Sequence, residues 1–172
     1  MDDMPSDEWT YVSEVGPDWD EASQNMISCI SSKIRKYDAI DFGEDALQIA
    51  LSRVGEAHKD TVTSYANLAF VHYSLEDLET ATIYADKVLE IAERHFGLDS
   101  LQAAQGMDIK MCIFSAQDRY DEAIELANKL LRFYTRLHGS EHHETRRIDQ
   151  AISDLHGFRA NVGKTFWQKY FG

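Results

Sequence analysis

Glycines at positions 55, 97 and 139 stand 42 residues apart, and Ala39, Ala81 and Ala123 repeat at the same interval. Leu47, Leu89 and Leu131 fall in phase with them, as do Phe42, Tyr84 and Leu126, and then the small residues Gly43, Ala85 and Ala127. Such a repeat constrains the chain more than any local propensity, because each unit must bury its apolar face against the next one. In the second period Tyr84, Val88 and Leu89 share a stripe at helical spacing, and Leu126, Leu130 and Leu131 do so in the third. The glycine that follows each of these stripes stands where a helix C-terminus needs a positive φ, with His95 or His138 beside the carbonyl end. A second amphipathic segment precedes each alanine. Residues 61–75 carry Tyr65, Leu68, Ala69 and His72, and residues 103–117 carry Met107, Ile109, Met111 and Phe114. The same interval predicts an equivalent at 19–33, capped by Asp18 or Asp20, with Met26, Ile27 and Ile30 facing inward. Each repeat is read as a helix pair. Gly43 weakens the first repeat, since glycine inside a helix costs about 1 kcal/mol relative to alanine.

The 172 residues, 44% of them apolar, suffice for one folded unit or a short array. Lys and Arg number 17 against 30 Asp and Glu, a formal charge of -13, so phosphate-rich partners are repelled and no nucleic acid is expected as a ligand. No stretch approaches the roughly 18 to 20 apolar residues of a membrane span. The acidic opening Met-Asp-Asp-Met-Pro-Ser-Asp-Glu lacks the basic start of a secretory signal, and a cytoplasmic address is expected. Cys29 and Cys112, too few for a disulfide framework, are expected to be reduced. No Gly-rich phosphate loop, H-E-x-x-H, metal-spaced cysteine pair or G-x-S-x-G occurs, which predicts neither an enzyme nor a cofactor. The densest polar cluster is His138, His142, His143 and Glu144. It reads as an inter-repeat corner rather than a metal site, because His58 in Gly55-Glu-Ala-His58 is in phase with His142.

The run Thr63-Ser-Tyr-Ala-Asn-Leu-Ala-Phe-Val-His-Tyr, then Ala81, then Leu89-Glu-Ile-Ala-Glu-Arg-His-Phe-Gly97, resembles a tetratricopeptide repeat of the 42-residue type found in kinesin light chains. Arg119-Tyr-Asp-Glu-Ala-Ile-Glu-Leu-Ala through Gly139-Ser-Glu-His resembles the same unit again. The resemblance covers roughly residues 19–158. It implies an all-α, right-handed solenoid of three helix pairs plus a C-terminal capping helix, the first helix of each pair lining the concave side. Carried across position by position, it puts Gln24, Asn25 and Ser28, then Thr63, Asn67, Phe70 and Tyr73, then Asp108, Cys112 and Ser115 on that groove. In the family an asparagine at the position of Asn67 holds the main chain of an extended peptide, and Asn25 is its counterpart one repeat earlier. The basic clamp that binds acidic chaperone tails in related repeats is missing, since Lys33 and Lys110 are the only cations in the three lining helices. The function implied is a non-enzymatic adaptor for an extended peptide or partner protein. A regulatory subunit that embraces an enzyme is a third reading.

The two ends differ in character. Residues 1–18 form an acidic tail, expected to be flexible, that also carries Trp9, Tyr11 and Val12. Ser6-Asp7-Glu8-Trp9-Thr10-Tyr11-Val12 resembles the motif that binds ubiquitin-like modifiers of autophagy. Trp9 and Val12 would enter two pockets as alternate side chains of an added strand while Asp7 and Glu8 meet basic residues of the partner. Pro17-Asp-Trp-Asp-Glu21 is similar to the tryptophan-acidic peptides that kinesin light chains hold in their groove, although periodicity makes Trp19 the first core residue. At the other end, residues 159–172 are basic and aromatic. Phe158, Val162, Phe166 and Tyr170 recur every fourth position, as expected of a capping helix running from Thr145 to residue 172, or of an amphipathic segment meeting a membrane surface.

Overall fold

The computed structural model describes residues 15, 17–30 and 36–171, the side chains of 17, 27–30, 36, 37 and 162–171 excepted. Within them lie seven helices and no strand: α1 (Pro17–Ile30), α2 (Lys36–Arg53), α3 (Lys59–Ser74), α4 (Leu78–His95), α5 (Leu101–Ala116), α6 (Tyr120–His138) and α7 (His143–Phe171). Consecutive helices pack on one another, and α3 also packs on α5, which makes a helical-repeat solenoid of three pairs and a final helix. The 42-residue interval separates α2 from α4 and α3 from α5 at both ends, and α5 from α7 at their starts.

The interval survives because the turns repeat one backbone geometry and one set of hydrogen-bonding tasks. Each pair ends at a glycine with φ of +83° at Gly55 and +88° at Gly97 and Gly139, a left-handed conformation that only glycine adopts without steric cost. The side chains of Thr61, Ser100 and Thr145 then donate to the carbonyls of Gly55, Gly97 and Gly139 at 2.6, 2.6 and 2.8 Å. Three residues past each glycine sits the N-cap of the next helix. Nδ1 of His58 accepts from the Asp60 amide at 3.3 Å, Oγ of Ser100 from the Ala103 amide at 3.1 Å, and Nδ1 of His142 from the Glu144 amide at 3.3 Å. An imidazole and a hydroxyl play the same part, which is to satisfy an amide that the first helical turn leaves unpaired.

The in-phase alanines Ala39, Ala81 and Ala123 are fully buried, as are Ala85 and Ala127, and small side chains at these positions let neighbouring helices close on each other. Around them Leu68, Ile91, Ile113, Leu130 and Ile148 are fully buried, each burial contributing about 1.5–3 kcal/mol. Gly43 differs from its sequence reading. A Cβ there would stand 2.7 Å from Cδ2 of Leu68 and 3.3 Å from Sδ of Met26, so the glycine that weakens α2 as an isolated helix admits α3.

Trp19 is a core residue. It is 5% exposed, and its indole N–H donates to Oγ of Ser64 at 2.8 Å. That burial withdraws Pro17-Asp-Trp-Asp-Glu21 as a groove ligand. Val15, expected in the tail, is 4% exposed, and its carbonyl accepts from Nη1 of Arg53 at 2.9 Å. Packing therefore begins before residue 18. At the far end Thr145, Ile148 and Leu155 of α7 are buried, while Arg146, Asp149, Gln150 and Ser153 are exposed where the equivalent positions of α3 and α5 are mostly apolar. Among the described residues no helix is long and apolar enough to cross a membrane.

Candidate interaction face

Helices α3, α5 and α7 present one common face, and a cleft of about 190 Å³ runs where they meet. Tyr73 of α3, Cys112 and Ser115 of α5, and Asp154, Leu155 and Phe158 of α7 border it. Phe70 lies one turn before Tyr73, with ring centroids 6.3 Å apart, and is 47% exposed. Phe158 is 51% exposed and stands 6.2 Å from the Tyr120 ring. Large apolar side chains left half in water beside a cleft are the usual mark of a contact surface. Burial, reinforced by Asp108, pushes the Cys112 thiol up to about 11, so it is a neutral wall at physiological pH.

Charge on this face is mostly spent internally. Arg147 forks onto Asp108 at 2.6 and 3.3 Å and also reaches Glu144 at 2.8 Å. Burial opposes the guanidinium charge, but these two carboxylates outweigh it and raise the Arg147 pKa. Asp154 differs: Oδ1 accepts from the neutral amide of Gln150 at 2.9 Å, and no cation among the described residues pairs with it.

The structure joins only part of the residue set expected from sequence. Tyr73 borders the cleft and Phe70 flanks it. Asp108 is on the face, but its carboxylate is taken by Arg147 rather than free for a ligand. Oγ1 of Thr63 donates to the Lys59 carbonyl one turn back at 3.0 Å, and Asn67 is half-buried in α3. Asn25 borders a separate depression between α1 and α2, beside Phe42 and Asp45, away from the Tyr73 cleft. Lys110, expected in a lining helix, extends to Asp86 of α4 at 2.5 Å. Asp7, Glu8, Trp9 and Val12 lie outside the described residues, as do the side chains of Lys33, Val162, Phe166 and Tyr170. A larger groove, about 770 Å³, lies between α4 and α6 over α5. The pairs Lys110–Asp86 and Arg136–Asp99 brace its two walls to α5 and to the turn before it, making it the valley between successive second helices.

The family model of the tetratricopeptide repeat matches residues 61–102 and 112–144. The crystal structure of BtubC (BKLC) from P. vanneervenii superposes with a TM-score of 0.56 at 20% identity, covering 75% of this chain and 58% of that one. Residues 61–102 and 112–144 are thus similar to tetratricopeptide repeats, and the fold of the chain is similar to that of BtubC. Protein REDUCED CHLOROPLAST COVERAGE 2 of Arabidopsis thaliana is 40% identical over 57 residues. That stretch is 33% of this chain and 3% of the Arabidopsis protein. Within the tetratricopeptide array, α7 stands where the first helix of a fourth repeat would be. Its Arg147, Asp154 and Phe158 were not in the expected groove, because the segment from Thr145 onward reads as a cap. The period itself places two of them: Arg147 falls two repeats past Thr63, and Asp154 one repeat past Cys112.

The histidine corner sits elsewhere. Rings of His138 and His142 stack with centroids 4.1 Å apart, and His142 and His143 lie 4.3 Å apart. Among the described residues no group of three or more His, Cys, Asp or Glu is arranged to hold a metal ion. Burial, reinforced by the neighbouring imidazoles, holds the pKa of His142 below its ordinary value.

Proposed function

We propose that the chain is a non-enzymatic protein-interaction adaptor whose first-helix face, the concave face of its family, holds an extended peptide. The observation that carries this reading is the cleft shared by α3, α5 and α7, with Phe70 and Phe158 half-exposed around it. A peptide laid across three helices buries those rings, and Asn67 supplies an amide able both to donate to and accept from its main chain. The free Cys112 thiol fits a reducing compartment such as the cytoplasm.

The test is a decapeptide selected from a random library on the intact chain. Asn67→Ala is expected to weaken its binding by about 1–3 kcal/mol, the cost of leaving desolvated peptide groups unpaired, with helicity by circular dichroism unchanged. Unaltered affinity in both Asn67→Ala and Phe158→Ala moves binding off this face.

A further inference from the structure

We infer that the cleft between α3, α5 and α7 is an anchor pocket for an arginine side chain of the bound peptide, with Asp154 as its counter-charge and Phe158 and Tyr73 as its stacking walls. The inference rests on the peptide-groove reading above and names the chemistry that groove selects.

Size limits the occupant first. A volume of about 190 Å³ is below the roughly 300–1,000 Å³ of small-molecule and cofactor sites, and suits one long side chain. The cleft is lined along its depth by Met111, Cys112 and Leu155, none of them charged, and these match an aliphatic stem. A carboxylate and two aromatic rings border it, so the group at the end of that stem is a cation. Guanidinium is preferred to ammonium here, because its plane stacks on a ring face while its N–H fork meets a carboxylate.

Charge complementarity decides against an acidic anchor. Three arginines of the surrounding helices are engaged by the protein's own carboxylates: Arg147 by Asp108 and Glu144, Arg159 by Asp121 and Arg119 by Glu122. Asp154, partnered only by the amide of Gln150, therefore supplies the unbalanced charge at the cleft, in a chain of net charge -13. An incoming carboxylate would meet repulsion and no free donor of positive charge, whereas an arginine gains a charge-assisted hydrogen bond.

Four decapeptide sublibraries, with the central residue fixed as arginine, lysine, norleucine or glutamate, are titrated into the full-length chain by fluorescence anisotropy. The arginine set is expected to bind at least tenfold tighter than the norleucine set, with lysine between and glutamate weakest. Asp154→Asn is expected to remove most of the arginine advantage while leaving norleucine affinity in place. A flat ranking, a preference for glutamate, or an arginine advantage that persists in Asp154→Asn overturns the arginine pocket. In those cases the groove itself still stands if Asn67→Ala weakens all four sets. No binding by any set, or binding indifferent to both Asn67→Ala and Phe158→Ala, overturns the groove and the pocket together.

Discussion

Glu76 and Asp118 hold φ values of 63° and 59° and lie one repeat apart, each in the turn between the helices of its pair. An L-residue in this region costs roughly 1–2 kcal/mol. The turn demands it because the amides of Asp77 and Arg119 must reach back to the carbonyls of His72 and Phe114, at 3.0 and 2.8 Å. Glu76→Gly is therefore expected to stabilise the protein by about 0.5–1 kcal/mol after glycine's larger unfolded-state entropy is deducted, read as a higher urea midpoint. His142 shows what a cap costs when it can titrate. Its neutral Nδ1 accepts the Glu144 amide, and its folded pKa lies below the ordinary 6.5, so the unfolded chain binds the proton more readily. The stabilisation is complete above pH 6.5 and declines as pH falls from there to the folded pKa. Replacement by the residue that caps the preceding corner, His142→Ser, is expected to flatten the urea midpoint between pH 7 and pH 5 relative to wild type.

At the scale of elements, the limits of α3 and α5 were legible in advance to within two residues, because helix stripe, corner glycine and N-cap all recur with one period. Close approach was not legible. Gly106 lies in the middle of α5, where glycine reads as a flaw, but a Cβ there would meet side-chain carbons of Leu89 at 2.8 Å and Val88 at 2.9 Å. Gly106→Ala trades a helix-propensity gain of about 1 kcal/mol against overpacking that costs about 1–3 kcal/mol. Net destabilisation is expected, seen as a lower thermal midpoint, with α4 losing hydrogen-exchange protection first. Nor was the second contact of α7 legible. Its polar stripe of Arg146, Asp149, Gln150 and Ser153 marks it as the covered end of the stack, and a cap was not expected also to border the cleft shared with α3 and α5. It does both because successive faces of one helix meet different neighbours.

For the whole molecule, stability in a stack is a sum of local interfaces rather than one core. Ile148, fully buried in one cluster with Leu130, Phe133 and Tyr134 of α6 and Met111 of α5, belongs to the last interfaces of the stack. Ile148→Ala is expected to cost about 2–5 kcal/mol, and hydrogen exchange should show that loss in α6 and α7 while α3 and α4 keep their protection. Uniform loss along the chain would mean that the array unfolds as a single unit.

What the sequence determined by itself is the architecture, since apolar stripes, alanine contacts, corner glycines and caps are local requirements that recur in every repeat and have few other solutions. The tertiary structure decided which polar side chains are available. Asp108, expected on the groove, and Lys110, a cation of the same lining helix, are claimed by Arg147 of α7 and Asp86 of α4, whereas Asp154 is left with a neutral partner. Periodicity records which face a residue occupies, but pairing depends on side chains 24 to 39 residues away in sequence, and only the packed stack brings those within a hydrogen bond's reach.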